Sequence, residues 1–221
     1  MLTGPQSLRL GRALGAMRRD LASGAWTPAG AEDVHTAIEA EVTRRVGALG
    51  ERLHTGRSRN DQVSTALRLC VAQRLQVLRV AVGALQAALV RRAAAAKQTL
   101  MPAYTHVQRA QPITLAHFLL AHFWPLERDV ARLRAAQTAA LCCPLGAGAV
   151  SGHPFGLDRA WVARRLGFVA VSQNSLDTVG DRDFAVEAVF ACSLLATHLS
   201  RLGEDLVLFS SSEFGFVVWP D

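Results

Sequence analysis

The sequence predicts an all-α fold built on long helices. Three observations carry this. Apolar residues recur at steps of three and four along most of the chain, no useful length alternates apolar with polar residues, and one periodic run extends from about Asp61 to Gln98 without a proline. At ~1.5 Å per residue a helix of that length exceeds ~50 Å, more than one small domain covers, so it belongs in a bundle or between subunits.

Each element follows in order. Leu8, Leu10, Leu14, Met17 and Leu21 predict a first amphipathic helix, ended by the turn-rich SGAWTPAG. A second begins near Glu32, with Val34, Ile38, Val42 and Val46 on one side. The dominant third carries Leu67, Val71, Leu75, Leu78, Val82, Leu85 and Leu89, with Gly83 as its single interior glycine. Pro102 and Pro112 bracket a loop, PAYTHVQRAQP, and Pro112 is placed to begin the next helix, where its missing N–H costs nothing. That helix runs towards Thr138 with Pro125 inside it, a position that kinks a helix or costs about 3 kcal/mol. The glycine-rich PLGAGAVSGHPFG follows, then a short helix near Asp158 to Leu166, the loop SQNSLDTVGDRD, and a long apolar helix from about Phe184 to Phe209.

With 221 residues, half of them apolar, the chain has material for a sizeable core. The formal charge of +6 comes almost wholly from arginine, Lys97 being the only lysine. The arginines are dispersed and not interleaved with aromatics, which argues against nucleic acid as a partner. No window reaches about 18 uncharged apolar residues, and Arg9 and Arg12 interrupt the first apolar run, so neither a membrane span nor a leader is expected. Cys70, Cys142, Cys143 and Cys192 lack metal-binding spacing and are expected as buried free thiols of a cytoplasmic protein.

Polar loops between long helices are the functional candidates. In HTGRSRNDQ, residues 54–62, Arg57 and Arg59 can grip carboxylates at a helix start. A solvated turn with Asp61 as helix cap explains the same residues equally well. Thr105 and His106 lie on the proline-bracketed loop, where an imidazole can pass a proton near neutral pH. His117, His122 and His198 fall on helices and are expected to be structural. Asp181 and Asp183 suit helix capping.

The segments EDVHTAIE, LHTGRSRNDQV, MPAYTHVQRAQPI, PLGAGAVSG, NSLDTVGDRDF and LSRLGEDLVLFSSSEFGF occur together in an order and spacing that resemble argininosuccinate lyase, of the fumarase/aspartase superfamily that includes the delta crystallins. The resemblance runs from about Ser7 to Asp221. It implies the reversible β-elimination of argininosuccinate to arginine and fumarate, part of arginine biosynthesis, without metal or organic cofactor. It also implies a homotetramer whose sites draw loops from several subunits, with neither nucleic acid nor membrane as partner. By similarity, Ser58, Arg59, Asn60, Thr105 and His35 bind substrate and His106 is one acid/base group, while Arg182 and Asp183 support the site.

The same resemblance divides the chain into a partial N-terminal helical domain, residues 1–60, and a partial central bundle domain, residues 61–221, holding three of five long central helices. It leads one to expect further segments: an N-terminal piece with a substrate-contacting serine, and, past Asp221, a signature loop with the second catalytic group. On that reading the isolated chain has little or no turnover. Gly180 stands where a serine is usual, His153 occupies a variable position, and Pro125 interrupts a helix that is normally continuous.

A non-catalytic, crystallin-like helical assembly protein is the alternative, and elimination on another substrate such as adenylosuccinate or malate is a third. Calorimetry separates the first two: argininosuccinate binding that is lost in His106→Ala or Asn60→Ala is expected of the enzyme and not of a scaffold.

Overall fold

The computed structural model describes residues 2–219. It is helical throughout its frame, as expected. Helix α1 (Gly4–Ser23) starts at a reciprocal capping box between Thr3 and Gln6, with a proline in its first turn. Its inner face is Leu10, Ala13 and Met17. Leu8 is exposed because it lies roughly 160° around the helix from Leu10. Leu21, in the last turn, is exposed too.

Helix α2 (Val34–Val46) is capped by Asp33, whose carboxylate accepts the Thr36 amide at 2.7 Å, and it runs into a 3-10 segment, Gly47–His54. These elements share a core of Leu10, Met17, Val42 and Val46. Gly50 is required there, since a Cβ at this position meets the Thr43 backbone at 2.5 Å. Within α2, Glu41 is nearly buried and takes Arg44 and Arg45 at 2.7 and 2.6 Å.

Helix α3 (Arg59–Ala95) is 37 residues long, or ~55 Å. After it come two antiparallel strands, β1 (Leu100–Thr105) and β2 (Gln108–Thr114). The expected loop is therefore a hairpin, and Pro112 pairs with Pro102 inside it instead of opening a helix. Helix α4 (Leu115–Ala140) begins at Thr114, whose hydroxyl accepts the His117 amide at 3.1 Å. It continues through Pro125 without a break.

Two further short strands, β3 (Cys142–Cys143) and β4 (Ala170–Val171), pair in parallel on either side of α5 (Arg159–Leu166). The expected loop before the last helix contains one more helix, α6 (Ser175–Gly180), capped by Asn174. The strands escaped notice because two-residue pairs carry no alternation, and α6 because six residues are too few for a helical period.

Helix α7 (Asp183–Ser210) completes a three-helix packing with α3 and α4 around Leu75, Val82, Leu89, Leu126, Leu133 and Leu195. Two histidine–carboxylate rungs join α4 to α7. His198 Nδ1 lies 2.6 Å from the fully buried Asp129 carboxylate, and His122 Nε2 lies 3.1 Å from Asp205. Burial pushes the His122 pKa down, against the opposing pull of Asp205. These two histidines are structural, as expected, and His117 is exposed.

The cysteines depart from expectation. All four are free, but only Cys143 is fully buried, Cys142 and Cys192 are partly covered, and Cys70 is exposed on the outer side of α3. The outer side of α7 is apolar as well: Val186, Val189, Phe190 and Val207 are all at least 60% exposed. By length and composition alone α7 passes for a membrane span, with a mean hydropathy of 1.3.

Two outcomes are expected. Leu133→Ala, at a position with no exposure, costs about 2–5 kcal/mol in chemical denaturation. The Glu41 pKa is held down at about 2, chiefly by the hydrogen bond from Arg44 and next by that from Arg45. A depressed carboxylate pKa stabilises the fold fully above the ordinary carboxylate range, and this stability is lost as pH falls towards 2. Denaturation across a pH series should therefore show a shallower acid limb below about pH 4.5 in Glu41→Gln.

Candidate functional site

Asp61 organises the polar segment that precedes α3. It is fully buried. One carboxylate oxygen accepts the Ser58 amide at 2.9 Å, forming a capping box with the Ser58 side chain. The other reaches across the molecule to the glycine-rich loop and accepts the amides of Gly146 at 3.0 Å and Gly148 at 2.9 Å. Both glycines have positive φ, 95° and 62°, which turns their amides towards one acceptor. Asp61 thus takes part in capping, as one of the two sequence readings held, but Ser58 is the N-cap and Asp61 is buried, so the turn is not a solvated one. Asp61 is also the tie that brings a second loop over residues 54–59.

The result is a cleft of about 420 Å³ between His54–Arg59 and the segment from Gly148 to Phe155. Gly56 forms part of its floor with φ 75°, and a Cβ there lies 3.4 Å from the Phe155 ring. The positive φ favours glycine at this place in TGRSRND, while a Cβ would meet the Phe155 ring only in ordinary van der Waals contact.

The site residues expected from sequence fall into two groups. Ser58 and Arg59 line the cleft, and Asn60 is exposed in the first turn of α3, its amide donating to the Ser58 hydroxyl at 3.3 Å. His35 is partly buried in the first turn of α2. Its neighbours Asp33 and Thr36 both reach Arg59, at 3.3 Å each, which sets the start of α2 beside the start of α3.

Arg59 itself is heavily engaged. Besides Asp33 and Thr36 it meets Glu39 at 3.0 Å and Gln62 at 2.8 Å. Glu39 also takes His54 Nδ1 at 3.0 Å. The Asp33 carboxyl is held below its ordinary range, first by the Thr36 amide and to a smaller extent by Arg59. Arg57 is exposed and has no side-chain partner among the described residues, so it is the uncommitted cation of the cleft.

Thr105 and His106 form the second group, at the other end of the frame. They occupy the tip of the β1–β2 hairpin, where His106 and Val107 have φ of 55° and 60°. Two successive positive values describe the tight turn that suits strand twist, although neither residue is a usual one for it. Both Thr105 and His106 are exposed. The adjacent Tyr104 anchors the hairpin among phenylalanines at the far end of α7, 5.0 Å from the Phe214 ring and 6.0 Å from Phe209. The ~55 Å length of α3 therefore separates His106 from Ser58, Arg59 and Asn60 within one chain.

The third polar loop is structural in its contacts. Asp181 pairs with the buried Arg68, which also donates to the Ala139 carbonyl at 3.0 Å and stacks 4.1 Å over Phe184. Asp181 accepts the Asp183 amide at 2.8 Å, and Arg182 donates to nearby carbonyls. Among the described residues no group of three or more His, Cys, Asp or Glu side chains is arranged to hold a metal ion. Sequence reading treats Arg57 and Arg59 alike as able to grip carboxylates and gives His153 no role. Only the placement of α2 and of the glycine-rich loop distinguishes them.

Comparison with known proteins follows the same segments. Residues 15–221 match the family model described as Lyase. The argininosuccinate lyase of Roseiflexus castenholzii (strain DSM 13941 / HLO8) is 52% identical over 190 residues, 86% of this chain and 42% of that protein. That of Synechococcus sp. (strain CC9605) is 48% identical over 222 residues, 100% of this chain and 47% of that protein. The chain thus spans less than half the length of these curated relatives. Among solved structures, EDDS lyase in complex with formate superposes with a TM-score of 0.86 at 30% identity, over 96% of this chain and 42% of that one. A fumarate lyase:delta crystallin from Brucella melitensis shares the fold, with a TM-score of 0.81 at 20% identity, over 96% of this chain and 52% of that one.

Asp61→Ala leaves the buried amides of Gly146 and Gly148 without an acceptor. It is expected to destabilise the chain by about 3 kcal/mol or more and to speed amide hydrogen exchange at those two glycines before the α3–α4–α7 core exchanges.

Proposed function

The chain belongs to the lyase family, and from that premise we propose that it forms part of an argininosuccinate lyase, which cleaves argininosuccinate reversibly to arginine and fumarate. The observation that carries the proposal is the pairing of about 50% identity to curated argininosuccinate lyases with a cleft built from TGRSRND and a separate hairpin tip bearing Thr105 and His106.

The reaction removes a proton from carbon beside a carboxylate, a very weak acid, and develops a second negative charge on that carboxylate. Preorganised donors and positive charge lower that barrier. Ser58, Asn60 and Thr105 supply neutral donors, Arg59 sits among the carboxylates of Asp33 and Glu39 where it holds the first turn of α2, and His35 lies in that turn. His106 is one acid/base group, and the departing guanidinium nitrogen takes a proton in the same event.

Because α3, ~55 Å long, runs between Ser58 and the hairpin that bears His106, a site using both draws them from different protomers. The exposed apolar stripe of Val186, Val189, Phe190 and Val207 on α7 supports such packing, since a patch of that kind on a helix calls for a partner. A homotetramer is the assembly proposed, acting in the cytoplasm in arginine biosynthesis.

The test co-folds this chain with a fragment of a close relative carrying the remainder of the length, then follows fumarate release by ultraviolet absorbance. Turnover is expected in the associated mixture and not in either part alone. His106→Ala in the same mixture should lower kcat by about 10²–10⁴-fold. An associated, folded mixture without turnover, or undiminished turnover in His106→Ala, overturns the proposal.

A further inference from the structure

Two arginines flank Ser58, and their surroundings differ. Arg59 is held by Asp33, Glu39, Thr36 and Gln62. Arg57 has no side-chain partner among the described residues and lines the 420 Å³ cleft. The acidic groups nearby are already matched, Asp61 by three backbone amides and Glu39 by Arg59 and His54. The amides of Ser58 and Asn60 at the start of α3 are matched too, donating to Asp61 and Ser58 side chains. Arg57 is therefore the unmatched positive charge at the edge of this cleft, where it also borders a second cavity lined by Leu10, Arg52 and Thr55.

The other segment walling the cleft presents His153. Its Nδ1 accepts the Phe155 amide at 3.2 Å, which leaves the proton of the neutral ring on Nε2 as a donor. The ring stacks with Phe155, centroids 5.8 Å apart at 29°. Phe155 in turn lies over Gly56, and Asp61 ties the same loop to α3 through Gly146 and Gly148. His153 is thus oriented by a backbone hydrogen bond and a stack, on a loop pinned beside Arg57.

We propose that Arg57 and His153 together bind a carboxylate group of the substrate in this cleft, with His153 as a specificity-determining contact. This rests on the argininosuccinate reading for the identity of the substrate, while the carboxylate chemistry stands on the cleft itself. A guanidinium fork with an adjacent N–H donor suits a carboxylate, and the two segments that carry them are fixed before any ligand arrives.

The test is calorimetry on the full chain with two probes, argininosuccinate and succinate, the second carrying carboxylates without a guanidinium. Arg57→Gln is expected to weaken both about tenfold or more, and His153→Ala about fivefold. His153→Gln, which keeps an N–H donor near the Nε2 position, should restore most of the loss, whereas a purely structural role for the ring predicts no such rescue. Binding of both probes within twofold of the unaltered chain in Arg57→Gln and His153→Ala, with binding lost in Asn60→Ala, overturns this inference and leaves the proposed function standing. Succinate binding that depends on Arg57 and His153, without any binding of argininosuccinate, upholds the carboxylate site and tells against the substrate. An unaltered chain that binds neither probe overturns this inference, and the proposed function is then judged by turnover in the co-folded mixture.

Discussion

One buried carboxylate holds the candidate site together. Asp61 sits where α3 begins and has no exposure, and three backbone amides are aimed at its carboxylate. Two of them come from a loop 85 and 87 residues further along the chain. The same contact therefore caps the longest helix, folds the glycine-rich loop back, and forms the cleft between them. Removing a charged acceptor from such a place exposes every donor it satisfied, which makes the tie cooperative. Gly56 belongs to this arrangement, since its positive φ of 75° makes the turn over which Phe155 of the loop lies.

The second constraint is length. A helix of 37 residues is stiff and long compared with the rest of the chain, and it sets the two groups of polar residues at opposite ends. Each end is then stabilised by its own means. Near Ser58 these are half-buried ion pairs and backbone amides; near His106 they are aromatic rings, Tyr104 meeting Phe214 edge to face and Phe209 at a tilt. The cleft needs fixed charges, while an exposed hairpin tip needs a firm base beneath a projecting side chain.

Engagement, more than residue type, distinguishes the two arginines of the motif. Arg59 resembles a substrate-binding residue in sequence, yet its guanidinium is surrounded by Asp33, Glu39, Thr36 and Gln62. That contact docks the first turn of α2, and so His35, beside the cleft. Arg57 is left to meet whatever enters. A similar division appears in the NSLDTVGDRD segment, where Asp181 neutralises the buried Arg68 and so joins the start of α7 to α3.

Much of the frame was legible from sequence because apolar spacing at steps of three and four reports one buried helical face, and α3, α4 and α7 each continue it for many turns. The motifs were equally legible, since TGRSRND and the Thr105–His106 pair are local strings of residues. The β1–β2 hairpin was not, because His106 and Val107 turn the chain with positive φ but lack the asparagine or glycine that announces such a turn. Nor could sequence say that Arg59 is paired while Arg57 has no side-chain partner among the described residues, that His153 shares a cleft with residue 57, or that the whole of α3 runs between Ser58 and the hairpin of His106. Those are facts about partners distant along the chain. Periodicity encodes which side of a helix is buried, whereas pairing and distance depend on where the chain returns, and only the packed structure decides that.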